Sequence, residues 1–244
     1  MTAEVWSETF RVRSYESDPS GRASIQTICN YLQEAAGNHA GRLGVAVDQL
    51  TQKHMTWVLA RLRVEMDGYP AWRDEVIVET WPSGHDGLYA MREFVVKGPA
   101  GAVARASSAW LLIDLERRRP MRIPDFIANI ELPDRHRPVS EMPSRLPEPT
   151  RTDTTLQFPV QYADLDVNRH VNNVRFVEWS LEALPAGFLE SHSLATLDVH
   201  FRAEANLGDS IGVEVGELAP LDYAHLVRSG DRELARSRTT WRDR

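Results

Sequence analysis

The string F-R-V-R-S-Y-E-S-D from Phe10 lies over F-P-V-Q-Y-A-D-L-D from Phe158 without a gap. Phe10 meets Phe158, Val12 meets Val160 and Asp18 meets Asp166. Further echoes follow in the same order. YLQEA (Tyr31 to Ala35) lies over WSLEA (Trp179 to Ala183), and Arg63 to Glu65 lies over Arg202 to Glu204. VARASSAW, ending at Trp110, lies over LARSRTTW, ending at Trp241. Four matches in one order mark a duplicated unit, so whatever one copy folds into the other must also be able to form.

Between the copies runs ELPDRHRPVSEMPSRLPEPTRT, Glu131 to Thr152, with prolines at 133, 138, 143, 147 and 149. Proline fixes φ and lacks an amide donor, so this stretch is neither helix nor central strand. At about 3.1 Å per residue it is long enough to cross a small domain. The expected organisation is a first domain over 1–130, a proline-rich linker over 131–152 packed along the surface, and a second domain over 153–244.

Each copy presents its elements in one order. A short strand comes first, Thr9 to Arg13 or Leu156 to Tyr162, then a polar loop and a helix. Ile25, Ile28, Cys29, Leu32, Ala36, His39 and Leu43 recur at spacings of three and four, as do Val174, Val177, Leu181 and Leu184. Strand patterns follow. In WVLARLRVEM, the residues Val58, Ala60, Leu62, Val64 and Met66 alternate with Arg61, Arg63 and Glu65. DEVIVETW, YAMREFVVK and AVARASSAWLLIDL continue the first copy. TLDVHFRAEA, IGVEVGEL, YAHLVRSG and ELARSRTTW form the second. One helix followed by several antiparallel strands is an α+β plan in which a curled sheet wraps the helix. That is the hotdog layout, here in tandem as a double hotdog.

Composition narrows the function classes. Of 244 residues, 42% are hydrophobic and 26% charged, an ordinary globular balance. No apolar run reaches the ~18 residues that a membrane helix needs. The opening MTAEVWSETFRVRSY lacks a secretory layout, so a cytoplasmic protein is expected. A net charge of −7 argues against non-specific nucleic-acid binding. The single cysteine, Cys29, falls inside a helical pattern and reads as a small buried group. Lys53 and Lys97 are the only lysines; the other basic side chains are arginines, clustered at Arg117, Arg118, Arg119 and Arg122 and again from Arg228 to Arg244. The first cluster is either a solvated face or a docking patch for an acidic partner. No GxSxG elbow, Walker loop, GxGxxG fingerprint or zinc-ligand spacing is present.

Four stretches together resemble a known family: RSYESDPSGRASIQTICNYLQEAAGNHAGRLG, WVLARLRVEMDGYPAWRDEVIVETW, RASSAWLLIDLERRRPMRIP and DLDVNRHVNNVRFVEW. They are similar to the acyl-acyl-carrier-protein thioesterases of plant plastids and their bacterial relatives, over about residues 10 to 210. The resemblance implies a double hotdog fold and hydrolysis of the thioester between a fatty acyl chain and acyl carrier protein, with no metal or cofactor. It implies catalytic roles for Asp166, Asn168 and His170, through a D-x-N-x-H element, and for Glu204 in FRAEA. Where family members often carry a cysteine after that glutamate, this chain has Ala205, so no thiol nucleophile is at hand.

The residues themselves fit that chemistry. A thiolate leaves readily, so the task is to activate water or supply a carboxylate nucleophile and to stabilise an oxyanion. Glu204 or Asp166 is able to take a proton from water. Asn168 or His170 offers a donor to the oxyanion, and a helix starting near Val171 adds N–H groups and its dipole. Asp166 equally suits a cap or an Asx turn, and His170 a structural hydrogen bond. In the gapless alignment Asp166 meets Asp18, but Asn168 meets Ser20 and His170 meets Arg22, so the amide and imidazole belong to copy two alone. Glu65 lies over Glu204, and strict alternation would place Glu204 on one face with Arg202 and His200, where an ion pair would compete. Copy one is then free to hold the acyl tail, with Ile28, Leu32, Ala36, Trp57, Leu59 and Trp81 as lining and core packing as the plainer role.

Three other functions share these features: an acyl-coenzyme A thioesterase, a non-enzymatic acyl-binding module and an enoyl-thioester hydratase. Two fused copies suit either a monomeric pseudo-dimer or a homodimer.

Overall fold

A computed structural model describes residues 4–139, 141–150 and 154–244. The expected linker therefore includes Ser140, Arg151 and Thr152 outside the described residues, as is Asp153 at the expected start of the second domain. The chain forms two compact units, Met1–Glu141 and Met142–Arg244, dividing within the proline-rich stretch. In the first, strands β1 (Trp6–Arg11), β2 (Met55–Met66), β3 (Glu75–His85), β4 (Tyr89–Gly98) and β5 (Gly101–Asp114) run in the order β1-β3-β4-β5-β2, with short β6 (Arg119–Met121) on β5. In the second, β7 (Thr154–Pro159), β8 (His192–Phe201), β9 (Ser210–Ala219), β10 (Asp222–Ser229) and β11 (Arg232–Asp243) run β8-β11-β10-β9-β7. Every pairing within a unit is antiparallel. Each unit is thus a helix clasped by a curled sheet, and the fold is a double hotdog.

The clasped helix of the first unit is α1 (Ile25–Arg42). Ser24 caps it, its hydroxyl accepting from the Thr27 amide at 3.1 Å. The stripe Ile25, Ile28, Cys29, Leu32, Ala36 and His39 is buried along one face, with Leu43 just past the end. Burial pushes the Cys29 thiol up to about 12, so it is packing and not chemistry. Short helices α2 (Val47–Thr51) and α3 (Asp125–Ala128), not foreseen from sequence, lie beside a satellite core of Leu50, Met55, Leu112 and Ile123. One expectation for β2 changes. A bulge between Leu59 and Arg61 resets the alternation, so Leu59 and Ala60 are both buried and Val58 is not.

In the second unit α4 (Asn173–Glu182) takes the place of α1, capped by Asn172, whose side chain accepts from the Val174 amide at 3.0 Å. α5 (Ala186–Ser191) follows it. The two cores differ in polarity at matching positions. Phe94 faces Ala106 across β4 and β5, and His225 faces Ser237 across β10 and β11. The second unit thus has a buried polar network where the first has apolar side chains. His225 Nε2 bonds Thr239 Oγ1 at 2.9 Å, and the Ser237 hydroxyl donates to Ser180 Oγ at 3.3 Å. Among the described helices none is long and apolar enough to cross a membrane.

The proline-rich stretch is pinned to each unit by arginines and histidine. In the first, Arg135 donates to Glu79 at 3.0 Å and lies over the Trp81 ring, while Arg137 sits 3.5 Å from the fully buried Glu93. In the second, His200 Nε2 meets the Pro143 carbonyl at 2.9 Å, and Arg236 donates to the Leu146 carbonyl and to Glu148.

Burial lowers His39 to about 4, with the Arg92 charge adding to it, and lowers His225 to about 4 as well. The Ser180 backbone opposes the shift at His225 without forming a hydrogen bond to Nδ1. Because the folded chain holds these protons more weakly than the unfolded chain, stability rises with pH between the two values. Unfolding free energy measured in urea is expected to be flat above about pH 7 and to fall as pH drops from about 6.5 towards 4. His225→Phe, copying Phe94 of the first unit, should make that fall shallower.

Candidate functional site

The candidate site grows from a turn that both units build in the same way. Asp18 Oδ1 accepts from the amides of Ser20 and Arg22 at 2.8 and 3.2 Å, and from the Ser20 hydroxyl at 2.6 Å. Asp166 Oδ1 accepts from the amides of Asn168 and His170 at 2.8 and 3.3 Å. The Asp18 amide donates to the Arg22 carbonyl at 2.7 Å and the Asp166 amide to the His170 carbonyl at 2.8 Å. The fourth turn residue has positive φ in both, Gly21 at +76° and Arg169 at +64°. Glycine takes that conformation freely; arginine does so at a cost of about 1–2 kcal/mol.

The same turn carries different side chains forward. In the first unit Arg22 Nη1 donates to the Tyr69 carbonyl at 2.9 Å. In the second, His170 Nε2 lies 3.4 Å from Glu204 Oε2. His170 and Glu204 are partly exposed, at 40% and 50% of their side-chain surface, so solvent reaches the pair. Asn168 sits at the exposed tip, its Nδ2 3.5 Å from Asp166 Oδ2. The turn thus holds Asn168 and the His170 backbone on Asp166 and sets the His170 ring beside Glu204.

Three details refine the sequence reading. The helix begins at Asn173, just past Val171, because Val171 pairs with Leu165 and donates its amide to the Ala205 carbonyl at 2.9 Å. β8 ends at Phe201, so alternation does not reach Glu204, which stands on the following loop. Arg202 lies 3.4 Å from Glu233, and His200 is buried beneath Pro143; neither is placed to hold Glu204.

The supposed mirror of Glu204 also changes. Ala23 donates to the Pro70 carbonyl at 2.8 Å, as Val171 does to Ala205. Val12 donates to Asp74 at 3.0 Å, as Val160 does to Asp209 at 2.9 Å. Pro70 thus matches Ala205 and Tyr69 matches Glu204, whereas Glu65 lies inside β2 with Arg63 at 3.0 Å. The carboxylate beside the imidazole is peculiar to the second unit. Ala205 is completely buried, so its side chain packs while Glu204 stays accessible.

Sequence reasoning overlooked one supporting group. Asp164, buried to 3%, accepts from Arg175 Nε at 2.7 Å and from the Gln161 amide at 2.7 Å, and its carbonyl takes the Asn172 amide at 2.9 Å. It ties the turn to the first residues of α4. The signal was the acid two residues before each turn aspartate, Glu16 and Asp164, where Glu16 accepts from the Tyr31 hydroxyl at 2.7 Å.

The other predicted residues divide. Ile28, Leu32, Ala36 and Leu59 are buried, the first three on the sheet-facing side of α1. Trp57 is half-buried against Leu50 and Met55, its Nε1 donating to the Val45 carbonyl at 2.9 Å. Trp81 departs from this set. Its neighbour Thr80 pairs with Trp6, which stacks on His39 of α1, so Trp81 points to the opposite sheet face, under Arg135. Arg117, Arg118, Arg119 and Arg122 are exposed on the β5–β6 turn and its exit. Among the described residues no group of His, Cys, Asp or Glu is arranged to hold a metal.

The model of the acyl-ACP thioesterase N-terminal domain matches residues 3–130, and that of the acyl-ACP thioesterase C-terminal domain matches residues 147–243. The chain belongs to the acyl-ACP thioesterase family. Among its relatives, the chloroplastic palmitoyl-acyl carrier protein thioesterase of Gossypium hirsutum is 34% identical over 271 residues, covering 98% of this chain and 64% of that protein. The chloroplastic dodecanoyl-[acyl-carrier-protein] hydrolase of Cinnamomum camphora is 31% identical over 264 residues, covering 98% and 68%. This family member thus spans about 64% of the length of the first of these relatives. Its fold matches the crystal structure of an acyl-ACP thioesterase from Bacteroides thetaiotaomicron with a TM-score of 0.88 at 26% identity, covering 98% of each chain. It matches the 12:0-ACP thioesterase from Umbellularia californica with a TM-score of 0.82 at 29% identity, again covering 98% of each.

If the aspartates build the turns in both units of this thioesterase-family chain, each should matter to folding. Asp18→Ala and Asp166→Ala are each expected to cost about 1–2 kcal/mol. Chemical denaturation of the two variants against wild type checks this; a loss in only one would show that the turns are not equivalent.

Proposed function

We propose that this chain hydrolyses the thioester of fatty acyl-acyl carrier protein, releasing a free fatty acid and the carrier thiol. The observation that carries the reading is the His170–Glu204 pair, 3.4 Å apart on the aspartate-built turn of the second unit and absent from the matching turn of the first. The family supports it, as do the activities for which the relatives from Cinnamomum camphora and Umbellularia californica are named.

In this reading Glu204 takes a proton from a water as the water oxygen attacks the thioester carbon. Asn168 and His170 donate hydrogen bonds to the oxyanion, and the tetrahedral species collapses by breaking the carbon–sulfur bond. The thiolate leaves and gains the proton that Glu204 had taken. Asp166 has one oxygen committed to two backbone amides and the other beside Asn168, so its role is to hold the turn and not to attack. Ala205 supplies no thiol, and in this reading water is the nucleophile.

The first unit would hold the acyl tail, between α1 and its sheet, with Ile28, Leu32, Ala36, Trp57 and Leu59 as lining; Trp81, on the far face, drops from the set. The contrast of Phe94 and Ala106 with His225 and Ser237 supports placing the tail there, since an apolar chain is worth about 0.8 kcal/mol per buried methylene only in an apolar slot. Arg117, Arg118, Arg119 and Arg122 would dock the acidic carrier. The proposal includes a cytoplasmic location, which the single buried thiol fits.

Free-thiol release from acyl-carrier and acyl-coenzyme A substrates tests the whole reading. His170→Ala and Glu204→Gln should each lower turnover by about 10²–10⁴-fold. Charge reversal at Arg117 and Arg118 should raise KM for the carrier substrate, more so at low salt, and leave kcat unchanged. Full activity in His170→Ala, or a strong preference for coenzyme A, would contradict it.

A further inference from the structure

Inside the first unit, one turn beyond Ala36 on the same face of α1, the apolar layer between helix and sheet is interrupted. Arg92 on β4 is 91% buried there, at 9% exposure. Its Nη1 donates to His39 Nδ1 at 3.0 Å and to Thr80 Oγ1 at 3.2 Å. Ser108, also buried, donates to the Arg92 carbonyl at 3.4 Å and accepts from Trp110 Nε1 at 2.8 Å. Trp6 stacks on His39 at 5.9 Å and closes one side.

This cluster holds a cation and no anion. Among the described residues no carboxylate lies within ion-pair distance of Arg92. Glu93, next in sequence, points through the opposite face to Ser83 and Ser107. His39 is neutral near pH 7 and accepts from the guanidinium, so it adds no negative charge. Burial lowers Arg92 only to about 10, which leaves it charged under any physiological condition. Nε and Nη2 donate to no described residue. A buried charge without a counter-charge is costly, and it calls for an explanation in the structure. The matching residue of the second unit is Tyr223, opposite Thr239 as Arg92 is opposite Ser108. The shared fold therefore does not require a cation at this point.

We infer that Arg92, with Thr80 and His39 fixing its plane, forms a carboxylate-binding subsite between α1 and the sheet of the first unit. The fork of Nε and Nη2 presents two parallel donors, the geometry that a carboxylate takes in bidentate fashion. Two sources share this chemistry. One is the far end of an acyl chain that terminates in a carboxylate; the other is the head of a free fatty acid, which would bind as an inhibitor. The first rests on the acyl pocket proposed above, whereas the second requires only that apolar chains enter the layer.

Calorimetric binding of dodecanoate and of 1-dodecanol to wild type, Arg92→Met and Arg92→Lys tests the subsite. Dodecanoate should bind wild type at least tenfold more tightly than the alcohol. Arg92→Met should abolish that preference without weakening the alcohol, and Arg92→Lys should retain part of it. Equal affinity for acid and alcohol in wild type, or a preference that survives in Arg92→Met, overturns the inference. If Arg92→Met does not fold, Thr80→Val and Arg92→Lys carry the test through the same ratio, which should fall in both; an unchanged ratio overturns it. A second arm separates the sources by turnover of methyl-ended and carboxylate-ended acyl thioesters of equal length. Loss of the carboxylate-ended preference in the Arg92 variant assigns the subsite to substrate. An unchanged turnover ratio with loss of inhibition by dodecanoate assigns it to the free acid. Failure to hydrolyse any thioester would sink the proposed activity but leave the binding comparison to be judged alone.

Discussion

One carboxylate accepting two backbone amides sets the geometry on which the rest of each unit depends. Asp18 and Asp166 each close a five-residue turn. The residue after that turn then donates to the loop that follows the first strand beyond the helix, Ala23 to Pro70 and Val171 to Ala205. These local bonds fix where the helix enters and where the loop passes. A side chain at the end of the turn must then meet whatever stands just before that loop anchor. The fold supplies this meeting point twice, and the sequence decides what it is used for.

The two units spend the same scaffold differently. In the first, a long guanidinium reaches a backbone carbonyl and stitches the turn down. In the second, a shorter imidazole meets a carboxylate in reach of solvent. The division extends inward. The first unit has an apolar contact between helix and sheet around Phe94 and Ala106, broken at Arg92 and the His39, Thr80 and Ser108 side chains around it. The second has two bonded pairs, Ser180 with Ser237 and His225 with Thr239, in the corresponding layer. A polar core is inhospitable to a fatty tail, and an apolar one the reverse.

Much of this was legible in the residues. The repeat, the helical stripes and the strand alternation gave the order of elements in both units, because these patterns report which face is buried. The cluster of Asp166, Asn168 and His170 was legible because it is local. What misled was distance along the chain. The Arg63–Glu65 echo implied that Glu204 had a glutamate counterpart, but the two copies differ in length between turn and strand, α1 having 18 residues and α4 10, and only backbone bonding reveals that the match is Tyr69. Strict alternation failed at the Leu59 bulge and beyond Phe201 because a ladder's end and an extra residue leave no mark in hydrophobicity. Trp81 was assigned to the wrong face for a related reason: a buried aromatic does not say which layer buries it, and here the covering layer is the proline-rich segment.

A double-mutant cycle on kcat/KM for acyl-carrier substrate, joining His170→Ala and Glu204→Gln, most directly measures whether the second unit's turn is a working pair. The double variant should be hardly slower than the slower single variant, because groups acting as one unit lose their effect together. Arg22→Ala, at the matching place in the first unit, should leave kcat/KM nearly unchanged. Losses that simply multiply, or an equal loss from Arg22→Ala, would contradict the account.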